Sequence, residues 1–124
     1  MTTRTLLFLV IATTWAGLHN LALFLELYWL YWWFDLPMHF FGGVVVAMGF
    51  LVLADLRLPV RFLTRSLLPM MLAVLAVVIF WELFELWAGI EIQTDFIVDT
   101  TIDIVLGVVG GGVGYYLGER LRTL

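Results

Sequence analysis

The side chains of this sequence best suited to hold a cation or move a proton are two histidines and a set of carboxylates set inside long apolar runs. Asp35-x-x-x-His39 puts an acid and an imidazole one helical turn apart, Glu82-x-x-Glu85 stacks two carboxylates, and Asp99-x-x-x-Asp103 stacks two more. His19 and Glu26 lie seven residues apart, again on one helical face. Mixed carboxylate and imidazole donors without sulfur suit Zn, Mn, Fe, Mg or Ca rather than Cu(I). The candidate metal ligands are therefore His39, Glu82, Glu85, Asp99 and Asp103, with Asp35, His19 and Glu26 as further candidates. In an enzyme such a cation would activate water or polarise a substrate oxygen, with Glu82 or Glu85 as general base.

Other chemistries are excluded or disfavoured. With no cysteine there are no disulfides, thiolate metal sites, iron–sulfur clusters or thiol nucleophiles. Haem between His19 and His39 is disfavoured because they sit at different depths on adjacent helices. A di-iron carboxylate bundle needs Glu-x-x-His on two helices, and the chain has none. Nucleic acid is not an expected partner.

The elements that carry these residues are membrane spans. Of 124 residues, 64% are hydrophobic, six are Trp and none is Lys, a composition outside the soluble globular class. A hydrocarbon core of about 30 Å calls for spans of about 20 residues, which leaves room for one all-α transmembrane domain, 1–124. Four helices are expected, at about 6–31, 36–56, 67–90 and 97–118. A cleavable signal peptide fits poorly, since the apolar run from Leu6 continues without a small-x-small site, so the first helix is expected to be retained. That helix ends in Tyr28-Trp29-Leu30-Tyr31-Trp32-Trp33-Phe34, an interfacial aromatic belt. Pro37 sits in the first turn of the second helix, where proline is tolerated.

The fourth helix carries the strongest packing signal. At about 100° per residue, Asp99, Asp103, Gly107, Gly110, Gly111, Gly114 and Gly118 fall within an arc of about 120°. Glycine in a helix costs roughly 0.5–1 kcal/mol relative to alanine, so the six from Gly107 to Gly118 need a return, which in a membrane is close approach of helix backbones. Gly42 and Gly43 offer the second helix the same device. The fourth helix is expected to be central, with its carboxylates facing protein.

All six basic residues, Arg4, Arg57, Arg61, Arg65, Arg120 and Arg122, fall at one set of helix ends. The positive-inside rule makes that side cytoplasmic and the bundle N-in/C-in, a multi-pass protein of the inner membrane. Asp55 and Glu119 share the basic end, and the other eight acids lie at mid-depth or outward. A charge at the bilayer centre costs on the order of 2.5–3.5 kcal/mol, and no Arg or Lys stands near Glu26, Glu82, Glu85, Asp99 and Asp103 to offset it. A divalent cation, shared protons or a water-filled outward cavity must supply the compensation. Non-site readings compete residue by residue: Asp35 and Asp99 as helix N-caps, His19 as a packing residue, Glu85 as an interfacial charge, Glu91 and Asp95 as solvated loop charges.

The order Asp35-x-x-x-His39-Phe40-x-Gly42-Gly43, Trp81-Glu82-x-x-Glu85, Asp99-Thr100-x-x-Asp103-x-x-x-Gly107 resembles the YjdF-like family of small bacterial inner-membrane proteins and, more distantly, the VanZ-like family. The resemblance covers roughly Asp35 to Gly118 and implies a small polytopic membrane fold. VanZ-like proteins are linked to glycopeptide-antibiotic tolerance, and the acids Glu85, Asp99 and Asp103 depart from their pattern.

The function expected is divalent-cation binding at an outward-facing Asp/Glu/His site, serving lipid or cell-envelope chemistry or holding the bundle. The rivals are a proton or cation pathway and a structural subunit that assembles, as a homo-oligomer or in a larger membrane complex, through its glycine faces. Phosphate handling by the protein alone is disfavoured, since no Arg or Lys stands in the outer half to hold the anion.

Overall fold

The computed structural model describes residues 1–89 and 95–123, and every regular element among them is helical. The helices are α1 (Thr3–Phe24), α2 (Leu27–Leu30), α3 (Asp35–Asp55), α4 (Leu67–Ala88) and α5 (Phe96–Arg120), followed by a 3₁₀ turn, Leu121–Thr123. Four of them, α1, α3, α4 and α5, are long and apolar enough to cross a membrane. The expected end of the third span at residue 90 and the loop charge Glu91 lie outside the described residues.

Helix starts follow local chemistry. Thr2 caps α1 by accepting the Thr5 backbone N–H at 3.1 Å. Asp95, read from sequence as a solvated loop charge, caps α5 by accepting from the N–H groups of Ile97 at 2.9 Å and Val98 at 3.4 Å. Gly89 closes α4 in the left-handed conformation, φ 68°.

The first span departs from the expected 6–31. It stops at Phe24, and the chain turns through Glu26, whose φ of 56° is left-handed, into the separate short helix α2. Helical pairing is obligatory only where water is absent, and the aromatic run beyond Phe24 is interfacial in composition, so a break there leaves no backbone group stranded in hydrocarbon. The turn also folds Tyr28 back towards α1.

The tightest pairing is between α3 and α5, which run parallel. A Cβ on Gly43 would overlap the Gly107 carbonyl, and one on Gly110 would overlap that of Phe40. On Gly114 it would stand 2.6 Å from the Val44 carbonyl oxygen. Backbone therefore touches backbone over successive turns, which only glycine permits. The stripe's other glycines face side chains: Gly107 meets Val78, Gly111 meets Val74 and Gly118 meets Leu51. Gly42 behaves differently, facing the Trp15 ring at 3.4 Å rather than a neighbouring backbone. Ala47, Leu51, Met70, Val74 and Val78 fill the core between α3, α4 and α5, while α1 packs mainly on α3 and leaves most of its surface exposed.

At one end of the bundle Arg4 ties three helices together. Its guanidinium donates to both Asp55 carboxylate oxygens on α3, and on α5 to the Gly118 carbonyl at 3.2 Å and Glu119 at 3.4 Å. The start of α1 and the ends of α3 and α5 thus share one side. The hydrogen-bonded turns of residues 57–66 join them there, with Arg61 donating to the Ala54 carbonyl at 3.3 Å.

Candidate metal centre

The glycine contacts fix where the site forms. Gly43, Gly107 and Val78 meet in one layer of α3, α5 and α4. One helical turn further from Arg4, the same three helices present His39, Asp103 and Glu82, which are the residues four positions away on each. The cluster is the next layer of the same packing. Its closeness follows from the absence of a side chain at Gly43.

His39 is the hub, 8% exposed. Its Nε2 lies 3.2 Å from Asp35 Oδ1 on its own helix and 3.7 Å from Asp103 Oδ2 on α5. Its Nδ1 lies 3.5 Å from Glu82 Oε1 on α4. Two three-residue sets place one donor atom each within 4.8 Å of one another: Asp35, His39 and Asp103 on one side of the ring, and His39, Glu82 and Glu85 on the other. Donors bound at about 2.1 Å to one cation lie no more than about 4.2 Å apart, so either set would have to draw in by small side-chain adjustments to hold one. Asp103 is 2% exposed, and its Oδ1, like Glu82 Oε1, has no hydrogen-bond partner among the described residues. A buried carboxylate oxygen without a donor is costly, and a cation would satisfy it.

Five of the eight residues anticipated from sequence come together here: Asp35, His39, Glu82, Glu85 and Asp103. Asp99 stands half-buried one turn further out on α5, outside both sets. Glu26 is exposed at the α1–α2 turn, also outside both.

His19 belongs to the cavity beside the cluster instead. That cavity, ≈ 90 Å³, is lined by Trp15, His19, Tyr28, Trp81 and Val77 as well as by Asp35, His39 and Glu85. Its volume is enough for several waters or a small polar group beside the carboxylates. His19 Nδ1 lies 2.7 Å from the Tyr28 hydroxyl, and its ring stacks on Trp15 at 5.9 Å between centroids, with Trp81 edge-on at 6.0 Å. Burial, with help from the Asp35 and Glu85 carboxylates, pushes the Tyr28 phenol well above its ordinary range. Either group can donate in the hydrogen bond between the phenol and Nδ1, according to the tautomer of the His19 ring.

Sequence reasoning missed Trp15, Tyr28 and Thr100, the last of which lies beside Glu82. Trp15, four residues before His19, was findable from helical spacing and donates its indole N–H to the Met38 carbonyl at 2.9 Å. Tyr28 was not, because only the break after Phe24 brings it back. Comparison of the chain with protein-family models, with curated proteins and with solved structures finds no match in any of the three.

Proposed function

We propose that the chain is a four-span inner-membrane protein, with both termini in the cytoplasm, that binds one divalent cation at an outward-facing site built on His39. The observation that carries this reading is Asp103, a carboxylate 2% exposed whose Oδ1 has no donor among the described residues. Asp35, His39 Nε2 and Asp103 are the proposed ligands. Glu82 on Nδ1 then acts as the outer carboxylate that orients a metal-bound imidazole and raises its basicity. Oxygen donors with one imidazole favour Zn, Mn or Fe, with Mg and Ca as harder alternatives.

Orientation rests on the arginines. All six lie at the end where α1 begins and α3 and α5 finish, which the positive-inside rule assigns to the cytoplasm. The cluster at the opposite end then faces outward, and the cavity gives a small molecule access to it. In lipid or envelope chemistry the cation would polarise a substrate oxygen, and Glu85, on the cavity wall, would take the proton. The YjdF-like motif set becomes, in this reading, the ligand set together with the glycines that hold it.

A proton-sharing cluster is the second reading, because His39 has carboxylates at both ring nitrogens. A full transmembrane pathway finds less support. Among the described residues the fully buried side chains are Arg4, His39 and Asp103 at the two ends and apolar groups such as Met48, Leu51, Met70 and Val74 between them. Elemental analysis of detergent-purified protein separates the readings. A near-stoichiometric transition metal in the wild type, lost in Asp103→Asn and retained in Glu26→Gln, supports the metal centre. Metal at the same trace level in all three overturns it.

A further inference from the structure

The end of the bundle away from the carboxylate cluster carries a second built cavity, of ≈ 540 Å³ and opposite charge. Arg4, Arg61, Arg65 and Arg122 line it together with Thr64, Asp55 and Glu119. Four guanidinium groups against two carboxylates leave a net charge of +2. The arginines come from three separate parts of the chain: the start of α1, the 57–66 loop and the 3₁₀ turn after α5. A tertiary arrangement aims them at one space.

The two carboxylates are already engaged. Buried Arg4 binds Asp55 and Glu119, which leaves one negative charge to set against Arg61, Arg65 and Arg122. Arg122 adds only a 3.8 Å contact to Glu119 from a 70% exposed position, and among the described residues Arg65 makes no ion pair. The loop that presents Arg61 and Arg65 is held by its own hydrogen bonds: Leu63 N–H to Val60 O at 2.9 Å, Thr64 N–H to Arg61 O at 3.2 Å and Thr64 Oγ1 to Arg61 O at 3.1 Å. The backbone that carries Arg61 and Arg65 is therefore held in place at the cavity.

We infer that this cavity is a binding site for the phosphate of an anionic phospholipid, drawn from the leaflet at the arginine end. Arginine forks match phosphate oxygens bidentately, and basic pockets between spans on one membrane face suit anionic head groups. The volume falls within the range of small-ligand pockets, and the site lies at the ends of the apolar helices α1, α3 and α5, which is head-group depth for helices that cross a membrane. It is independent of the metal centre, which occupies the other end of α3 and α5.

Native mass spectrometry of the detergent-purified full chain, titrated with phosphatidylglycerol or phosphatidylcholine, tests it. The wild type should retain one phosphatidylglycerol at lower lipid concentration than phosphatidylcholine. Arg65→Gln and Arg61→Gln should each weaken phosphatidylglycerol retention about fivefold, the worth of one arginine near an anionic lipid surface. Arg57→Gln, in the same loop but off the cavity wall, should leave it unchanged. Since Arg65 is exposed, its substitution leaves the fold intact, which an unchanged helical circular dichroism spectrum of that variant verifies. Equal retention of the two lipids, or equal loss in Arg57→Gln and Arg65→Gln, overturns the site. Displacement of the lipid by inorganic phosphate at equal concentration overturns the lipid as its occupant.

Discussion

Asp103 concentrates the electrostatic problem of this molecule in one side chain. It is almost wholly buried, faces a histidine shared with two other carboxylates, and leaves one oxygen without a donor among the described residues. With a cation present, Asp103→Asn or Glu82→Gln should abolish cation-dependent stabilisation, whereas Glu26→Gln should change nothing. Thermal unfolding in detergent with and without added cation reads all three. At the other end, Arg4→Gln should cost about 1–3 kcal/mol, the penalty of leaving Asp55 and Glu119 without their shared donor, measurable as a lowered unfolding midpoint. Much of this was visible in residue spacing: Asp35-x-x-x-His39 forms the pair that helical periodicity requires, and Asp103 lies a full turn inside its helix. The roles of Arg4 and Asp95 were not visible, because ion-pair partners 51 and 115 residues apart in sequence and a cap in an acidic loop both depend on where the helices meet.

At the scale of elements, the α3–α5 contact sets both stability and the site. Gly43→Ala would force a methyl onto the Gly107 carbonyl, so the helices must separate, and His39 and Asp103, one turn away, separate with them. This variant should lose both stability and cation response. Gly112→Ala, with only the Met71 sulfur at 3.9 Å, should instead be neutral or gain up to about 0.5–1 kcal/mol from helix propensity. Gly107→Ala meets Val78 side-chain carbons at 2.8 and 3.0 Å, so Val78→Ala in the same chain should restore most of its loss. Unfolding midpoints of these variants check each statement. The stripe from Asp103 to Gly118 was legible because glycine has no other reason to recur on one helical face. Gly42 was read with it but faces Trp15, since neighbouring glycines on a helix point about 100° apart and only one can meet the partner backbone. The end of the first span was illegible for a related reason: an apolar aromatic run looks the same whether it continues a helix or lies along an interface.

For the whole molecule, charge is divided between two ends, carboxylates with histidine at one and arginines at the other, with an apolar layer between. In intact cells, cysteines placed singly at Thr2 and Thr64 should resist an impermeant maleimide and one at Trp32 should react, since the first two share the arginine end and the third is exposed beyond α2. The four helices long and apolar enough to cross a membrane were readable from composition and run length. Which of the acidic and imidazole groups touch needed the register of glycine contacts, which no single helix carries. A cation that binds only the folded bundle stabilises it by mass action, by about 2.7 kcal/mol at a hundredfold excess over Kd. The most direct test is therefore thermal unfolding of wild type and Asp103→Asn, first in chelator and then titrated with Zn, Mn, Fe, Mg or Ca. A metal centre predicts a crossover: Asp103→Asn at least as stable as wild type in chelator, through relief of carboxylate repulsion, and wild type alone rising as one of the cations is added. A wild-type midpoint that no cation moves, with Asp103→Asn the more stable protein throughout, would contradict the metal centre and leave a cluster of carboxyls sharing protons.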